Sequence, residues 1–162
     1  MALFNDCPIW SKDDEYMTPK SAWEDIQDFI PKNKVLWEPF YGDGKSGEYL
    51  QELGFEVIHK PIDFFEHDLG EILISNPPYT KKKEVFQRLK SLGKPFIMLV
   101  PTTVLHTMYF KETFWDENIQ LIIPYRKRQF YSPKKPLKKD GCSFYTLYIC
   151  WKIGLEKDVI LI

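Results

Sequence analysis

The sequence predicts an α/β fold, an open and mostly parallel sheet with one reversed strand near the C-terminus. Three observations carry that expectation. Short continuous apolar runs recur along the chain, and Phe96-Ile97-Met98-Leu99-Val100 is the clearest, a pattern typical of a parallel strand buried on both faces. A short strand, a glycine loop and a helix follow one another between Val35 and Leu53, the order of a nucleotide-type site. Cys142 to Lys152 is aromatic and β-rich, and it reads as a final strand pairing antiparallel with its predecessor.

Length and composition bound the rest. The 162 residues suit one domain with a real core, taken here as 1–162 with an N-terminal extension over 1–17 and a basic loop over 125–140. Apolar residues make up 44% and aromatics 16%, so the chain is globular rather than disordered. No apolar run approaches a membrane span, and the start lacks a signal-peptide pattern. Cys7, Cys142 and Cys150 are an odd number without metal-type spacing, and His59, His67 and His106 are scattered. A reducing, intracellular setting (cytoplasm or nucleus) with no metal is the expectation.

The elements follow in order. Thr18 is a good N-cap and Pro19 a good first helical residue, so a helix is expected to run to about Ile30, where Pro31 ends it. Ala22, Trp23, Ile26, Phe29 and Ile30 fall on one face of that helix. Val35-Leu36-Trp37 is the first strand. The loop Glu38 to Gly47 leads into a helix from Glu48 to Leu53, ended by Gly54. Phe55 to Lys60 reads as the second strand, and the next conventional strand must be short or absent before Glu71-Ile72-Leu73-Ile74. Helices are expected at about Glu84–Leu92 and Tyr109–Trp115, with a strand over Gln120–Pro124.

Charge is uneven. The chain carries a net −1, yet Arg126 to Asp140 holds seven basic residues (Arg126, Lys127, Arg128, Lys134, Lys135, Lys138 and Lys139) against one acid. That segment is +6 and the remainder −7. Cations interleaved with Phe130 and Tyr131 suit an unpaired or extruded nucleotide strand, and a merely solvated loop is the alternative. Lys81, Lys82 and Lys83 could likewise meet phosphates, or could simply be an exposed helix start.

The most specific stretch is Ser75-Asn76-Pro77-Pro78-Tyr79, directly after an apolar strand. Two prolines end the strand and leave a stiff loop at its carboxyl end, where ligands bind in open α/β sheets. An exocyclic amine on a flat base is a poor nucleophile, because its lone pair is delocalised into the ring. Asn76 Oδ1 and the Pro77 carbonyl could accept its two N–H bonds, and Tyr79 could stack on the base. The plainer reading is a rigid turn beside a buried Tyr.

Asn76-Pro77-Pro78-Tyr79 resembles the catalytic motif of amino-methyltransferases that use S-adenosylmethionine on adenine or cytosine in nucleic acids. Tyr16-Met17-Thr18-Pro19 and Glu38-Pro39-Phe40-Tyr41-Gly42-Asp43-Gly44 look like that family's Thr-Pro element and cofactor loop, and Asp63-Phe64-Phe65 like its adenine-binding element. The resemblance spans Thr18 to about Lys152, in the order of the adenine enzymes that place the cofactor half first. It implies a Rossmann-like methyltransferase fold in minimal form, without a target-recognition domain. It implies cofactor contacts from Thr18, Pro19, Glu38, Phe40, Gly42, Gly44, Asp63, Phe64 and Asn76, and catalysis by Asn76, Pro77 and Tyr79. Nucleic acid would meet Lys81, Lys82, Lys83, Arg126, Lys127, Arg128, Lys134 and Lys135. The family usually has Asp where this chain has Glu38, and an acid at the end of strand two, where this chain has His59 or Lys60. The expected activity is methyl transfer to adenine N6, in DNA slightly ahead of RNA. The alternatives are cytosine N4 and a catalytically silent nucleic-acid-binding subunit. Homo- or hetero-oligomers are both compatible with this reading.

Overall fold

The structure is a computed structural model, and it describes residues 16–132 and 144–162. Among the described residues seven strands form one sheet: β1 (Leu36–Trp37), β2 (Val57–Ile58), β3 (Ile72–Ser75), β4 (Phe96–Pro101), β5 (Ile119–Ile123), β6 (Thr146–Trp151) and β7 (Val159–Leu161). Their order across the sheet is β2-β1-β3-β4-β6-β5-β7. Only β6 is reversed. It pairs antiparallel with both β4 and β5, and every other pairing is parallel. The mostly parallel sheet with its reversed strand near the C-terminus is therefore present.

Strand periodicity sorts the core into two layers. From β4, Phe96, Met98 and Val100 face the layer shared with helices α3 (Lys82–Leu92) and α4 (Met108–Phe114). Ile97 and Leu99 face the opposite layer, shared with α1 (Lys20–Glu24) and α2 (Lys45–Glu52). β6 divides in the same way, with Leu147, Ile149 and Trp151 on one face and Tyr148 and Cys150 on the other. All six residues of β4 are buried, as a strand covered on both sides requires.

Several boundaries differ from the sequence expectation. The first helix begins at Lys20, because Pro19 is extended (φ −71°, ψ 153°) and occupies the cap position; no side chain caps this end. It ends at Glu24 rather than near Ile30. Beyond it the turns tighten to three-residue bonds, Ile26 N to Trp23 O and Phe29 N to Ile26 O, and a short 3-10 turn covers Gln27–Phe29. Three-residue turns align Trp23 with Ile26, so both stay fully buried. Helix α2 starts three residues early, because Gly44 takes a left-handed conformation (φ 84°) and the Asp43 carboxylate accepts from Lys45 N. The second strand shrinks to Val57–Ile58, and no described residue between it and β3 is in a strand. β6 is not the last strand: β7 follows it and adds in parallel to β5.

Candidate functional site

Because β1 to β5 run parallel, the loops after β1, β2, β3, β4 and β5 gather at one edge of the sheet. Glu38 leaves β1 and Asn76 leaves β3, so the neighbouring strands bring the two motifs side by side.

Glu38 is the hinge between them. Its carboxylate is 1% exposed, and it accepts from Ser46 Oγ at 2.7 Å, from Phe40 N at 3.1 Å and from Ser75 Oγ. Trp23 Nε1 donates in turn to Ser46 Oγ at 3.0 Å. One carboxyl group thus ties α1, the head of α2, its own loop and the residue preceding Asn76. Burial pushes it up to about 7, and the bonds from Ser75, Ser46 and Phe40 N offset only part of that. These donors occupy both oxygens, so Glu38 fastens loop to loop inside the protein.

In the same loop Gly42 and Gly44 have φ of 57° and 84°. His59, leaving β2, packs its ring on Tyr41 (centroids 4.7 Å apart) and directly over Gly47. Burial lowers His59 to about 4, so it is neutral near pH 7, and its Nε2 has no hydrogen-bond partner among the described residues. His59 is thus a packing group at the end of β2. Asp63 Oδ1 accepts from Phe65 N at 2.8 Å, closing its own turn. Phe64 is fully buried and packs its ring at a tilt against Phe40 (5.1 Å) and Trp37 (5.7 Å), inside the core.

On the second loop Asn76, Pro77 and Pro78 are all buried. Asn76 Nδ2 donates to the Tyr16 carbonyl at 3.1 Å. A carbonyl can only accept, so this bond fixes the amide with Oδ1 on the other side. That Oδ1 is buried and has no partner among the described residues. An orphaned buried acceptor costs about 1–3 kcal/mol, which makes it a notable feature of this edge. Tyr79 begins a 3-10 turn (Tyr79–Lys81), with its ring stacked on Tyr16 and edge-on to Phe144, and with Lys82 Nζ 5.3 Å from its centroid.

A strap crosses between the loops. Met17 pairs its main chain with Tyr131, and the Tyr131 hydroxyl donates to Asp43 Oδ2 at 2.6 Å, across the glycine loop. Thr18, the next residue after Met17, is buried at 6% exposure. Of the predicted cations, Lys81, Lys83, Arg126 and Lys127 are exposed and Lys82 is half-buried. Arg128 is turned inward, paired with Asp25 at 2.6 Å and set against the Tyr148 ring. Lys134, Lys135, Lys138 and Lys139 lie outside the described residues. A cleft of about 530 Å³ opens where β5 ends, lined among others by Tyr125, Arg126 and Lys127.

The bonds of Ser46 and Ser75 to Glu38, the Tyr131–Asp43 bond and the placement of His59 over Gly47 have no signal in the sequence. Tyr16 was visible only as the start of a motif, with no sign that it meets Asn76 and Tyr79. Among the described residues no three of His, Cys, Asp and Glu converge as a metal set, and no helix is long and apolar enough to cross a membrane.

Several solved structures resemble this one, and two of them align with a TM-score of 0.50. The first, from Pyrococcus horikoshii and described as a candidate RNA methyltransferase, aligns with a TM-score of 0.50 at 15% identity over 83% of this chain and 84% of its own. The second, a candidate class I S-adenosylmethionine-dependent methyltransferase from Listeria monocytogenes, aligns with a TM-score of 0.50 at 13% identity over 94% of this chain and 67% of its own. No protein-family model and no curated protein matches the sequence. Strand order, the single reversed strand and these alignments agree on one point: the chain has the Rossmann-like methyltransferase fold.

Proposed function

We propose that this chain is an S-adenosylmethionine-dependent methyltransferase acting on the exocyclic N6 amine of adenine in nucleic acid. The observation that carries the reading is Asn76 Oδ1, a buried acceptor with no partner among the described residues, at the carboxyl end of a central strand. An amine N–H is the kind of donor that would satisfy it. The neighbouring Pro77 carbonyl would take the second N–H. Two acceptors draw the nitrogen out of conjugation and stabilise it most as it becomes tetrahedral.

The glycine loop is the part of the chain suited to the cofactor. Gly42 and Gly44 hold a left-handed backbone that side chains rarely adopt, and a loop of this kind can turn main-chain N–H groups toward a ligand. When bound, the sulfonium supplies the methyl group and departs as a neutral thioether. The protein aligns donor and acceptor, keeps water out and grips the amine. Glu38 holds the two loops at fixed separation. Tyr79 offers a ring face for the base, and Lys81, Lys83, Arg126 and Lys127 offer charge for phosphates. The fold neighbour from Pyrococcus horikoshii is described as a candidate RNA methyltransferase, so RNA stands beside DNA as a substrate class.

A second reading, a nucleic-acid-binding subunit without catalysis, has one observation in its favour: β2 ends in a packed, neutral His59 where the family carries an acid. Incubation with labelled S-adenosylmethionine and mass analysis of DNA and RNA nucleosides separates the two. N6-methylated adenine nucleoside is the expected product. N4-methylcytosine moves the target to the other base, and nucleic-acid binding without label incorporation favours the subunit reading.

A further inference from the structure

We propose that Tyr16 is a built-in stand-in for the target base, occupying the base's place on Tyr79 until nucleic acid displaces it. This rests on the reading of Asn76 and Tyr79 as the site that receives the base. Tyr16 meets both of them at once. Its carbonyl accepts from Asn76 Nδ2 at 3.1 Å, and its ring stacks on Tyr79 with centroids 5.5 Å apart and planes 26° apart. A base between two rings needs their centroids roughly 7 Å apart, two layers of van der Waals contact. At 5.5 Å there is no room for one, so the Tyr16 ring fills the slot rather than forming one wall of it.

The surroundings are shaped for a flat group. Phe130 and Phe144 approach the Tyr16 ring edge-on at 6.4 and 5.6 Å, and Phe144 also meets the edge of Tyr79. The Tyr16 residue is still 38% exposed, so its ring has a way out to solvent. One residue on, Met17 is buried and pinned by two main-chain bonds to Tyr131, at 2.8 and 3.3 Å. That anchor lets the side chain rotate away while the Tyr16 carbonyl keeps the Asn76 amide oriented. The device therefore separates two tasks: the backbone of Tyr16 sets the acceptor, and its ring competes with the base.

The test compares two fluorescein-labelled single strands, one carrying a single adenine and one with an abasic residue in its place, each made as DNA and as RNA. Anisotropy titrations give the ratio of abasic to adenine Kd for the wild type, Tyr16→Ala, Tyr16→Leu and Tyr16→Phe. Removing a competing aromatic pair should raise that ratio about 2- to 10-fold in Tyr16→Ala. Tyr16→Leu, which keeps apolar bulk but cannot stack, should move the same way. Tyr16→Phe, which keeps the ring, should match the wild type. A ratio above one in the wild type that stays level or falls in Tyr16→Ala and Tyr16→Leu overturns the stand-in role alone. A ratio of one in every protein, on both DNA and RNA, overturns the base-site reading and the stand-in role with it.

Discussion

Gly47→Ala should destabilise the protein, although alanine is the better helix former. Gly47 lies in the first turn of α2, beneath the His59 ring. A Cβ built there falls 2.0 Å from His59 Nδ1, 2.2 Å from its Cγ and 2.5 Å from its Cβ, far inside contact distance. The ring has little freedom to yield, because Tyr41 packs against it at 4.7 Å. Overpacking of this kind costs about 1–3 kcal/mol. Alanine in a helix interior returns about 1 kcal/mol over glycine. The single variant should therefore lose up to about 2 kcal/mol. In a His59→Ala background the obstacle is gone, and the same substitution should stabilise by about 0.5–1 kcal/mol. Urea unfolding of the four proteins gives the coupling energy, expected at about 1–3 kcal/mol. A coupling near zero, with Gly47→Ala stabilising in both backgrounds, would refute the packing of His59 over α2. It would also leave His59 free to meet a ligand.

Three further outcomes test other parts of the account. Burial holds the Glu38 carboxyl at about 7 against an ordinary 4.5, so its folded form keeps a proton that the unfolded chain releases. That contribution is complete below about pH 4.5 and is lost as pH rises to about 7, a change on the order of 3 kcal/mol. His59, lowered to about 4 from 6.5, acts with the opposite sign as pH falls from about 6.5 to 4. The readout is therefore the stability difference between wild type and Glu38→Gln, which should shift toward the variant between pH 4.5 and 7; a constant difference contradicts a buried, proton-holding Glu38. Millimolar S-adenosylmethionine should raise the wild-type Tm by mass action, and Gly42→Val, which forces a branched side chain into φ 57°, should abolish the shift; an unshifted wild type counts against the cofactor. Replacing Arg126 and Lys127 with Ala should reduce the salt slope of duplex DNA binding by up to roughly 2 units, and an unchanged slope would mean that both are merely solvated.

What the sequence disclosed, and what it hid, follows from where the determining contacts lie. The β3 end at Asn76 was legible because two prolines terminate a strand by local sterics alone. β4 was legible because a strand covered on both faces must be apolar throughout. The loop between β1 and α2 was legible from its glycines, although α2 starts earlier than expected because a left-handed Gly44 and the Asp43 carboxylate organise its first turn. Features set by partners distant in sequence were not legible. The short α1 reflects burial of Trp23 and Ile26 beneath the sheet, and β7 forms because β5 offers it an edge. Glu38 was legible as part of the motif, but its bonds to Ser46 and Ser75, 8 and 37 residues away, were not. Tyr16 meets Asn76 across 60 residues, and no local pattern announces such a contact.

Single-turnover methyl transfer by wild type and Asn76→Ala, with separate titrations of cofactor and nucleic acid, tests the central claim most directly. The claim is that Asn76 Oδ1 accepts an N–H of the target amine and does so most strongly as the nitrogen becomes tetrahedral. An interaction of that kind lowers turnover more than it weakens binding. Asn76→Ala should cut the single-turnover rate by roughly 100-fold or more, the scale of losing one preorganised acceptor or donor in the transition state. Cofactor affinity should change little. Near-normal turnover in Asn76→Ala would make the Asn-Pro-Pro-Tyr loop a structural turn and would contradict the assignment of chemistry to it.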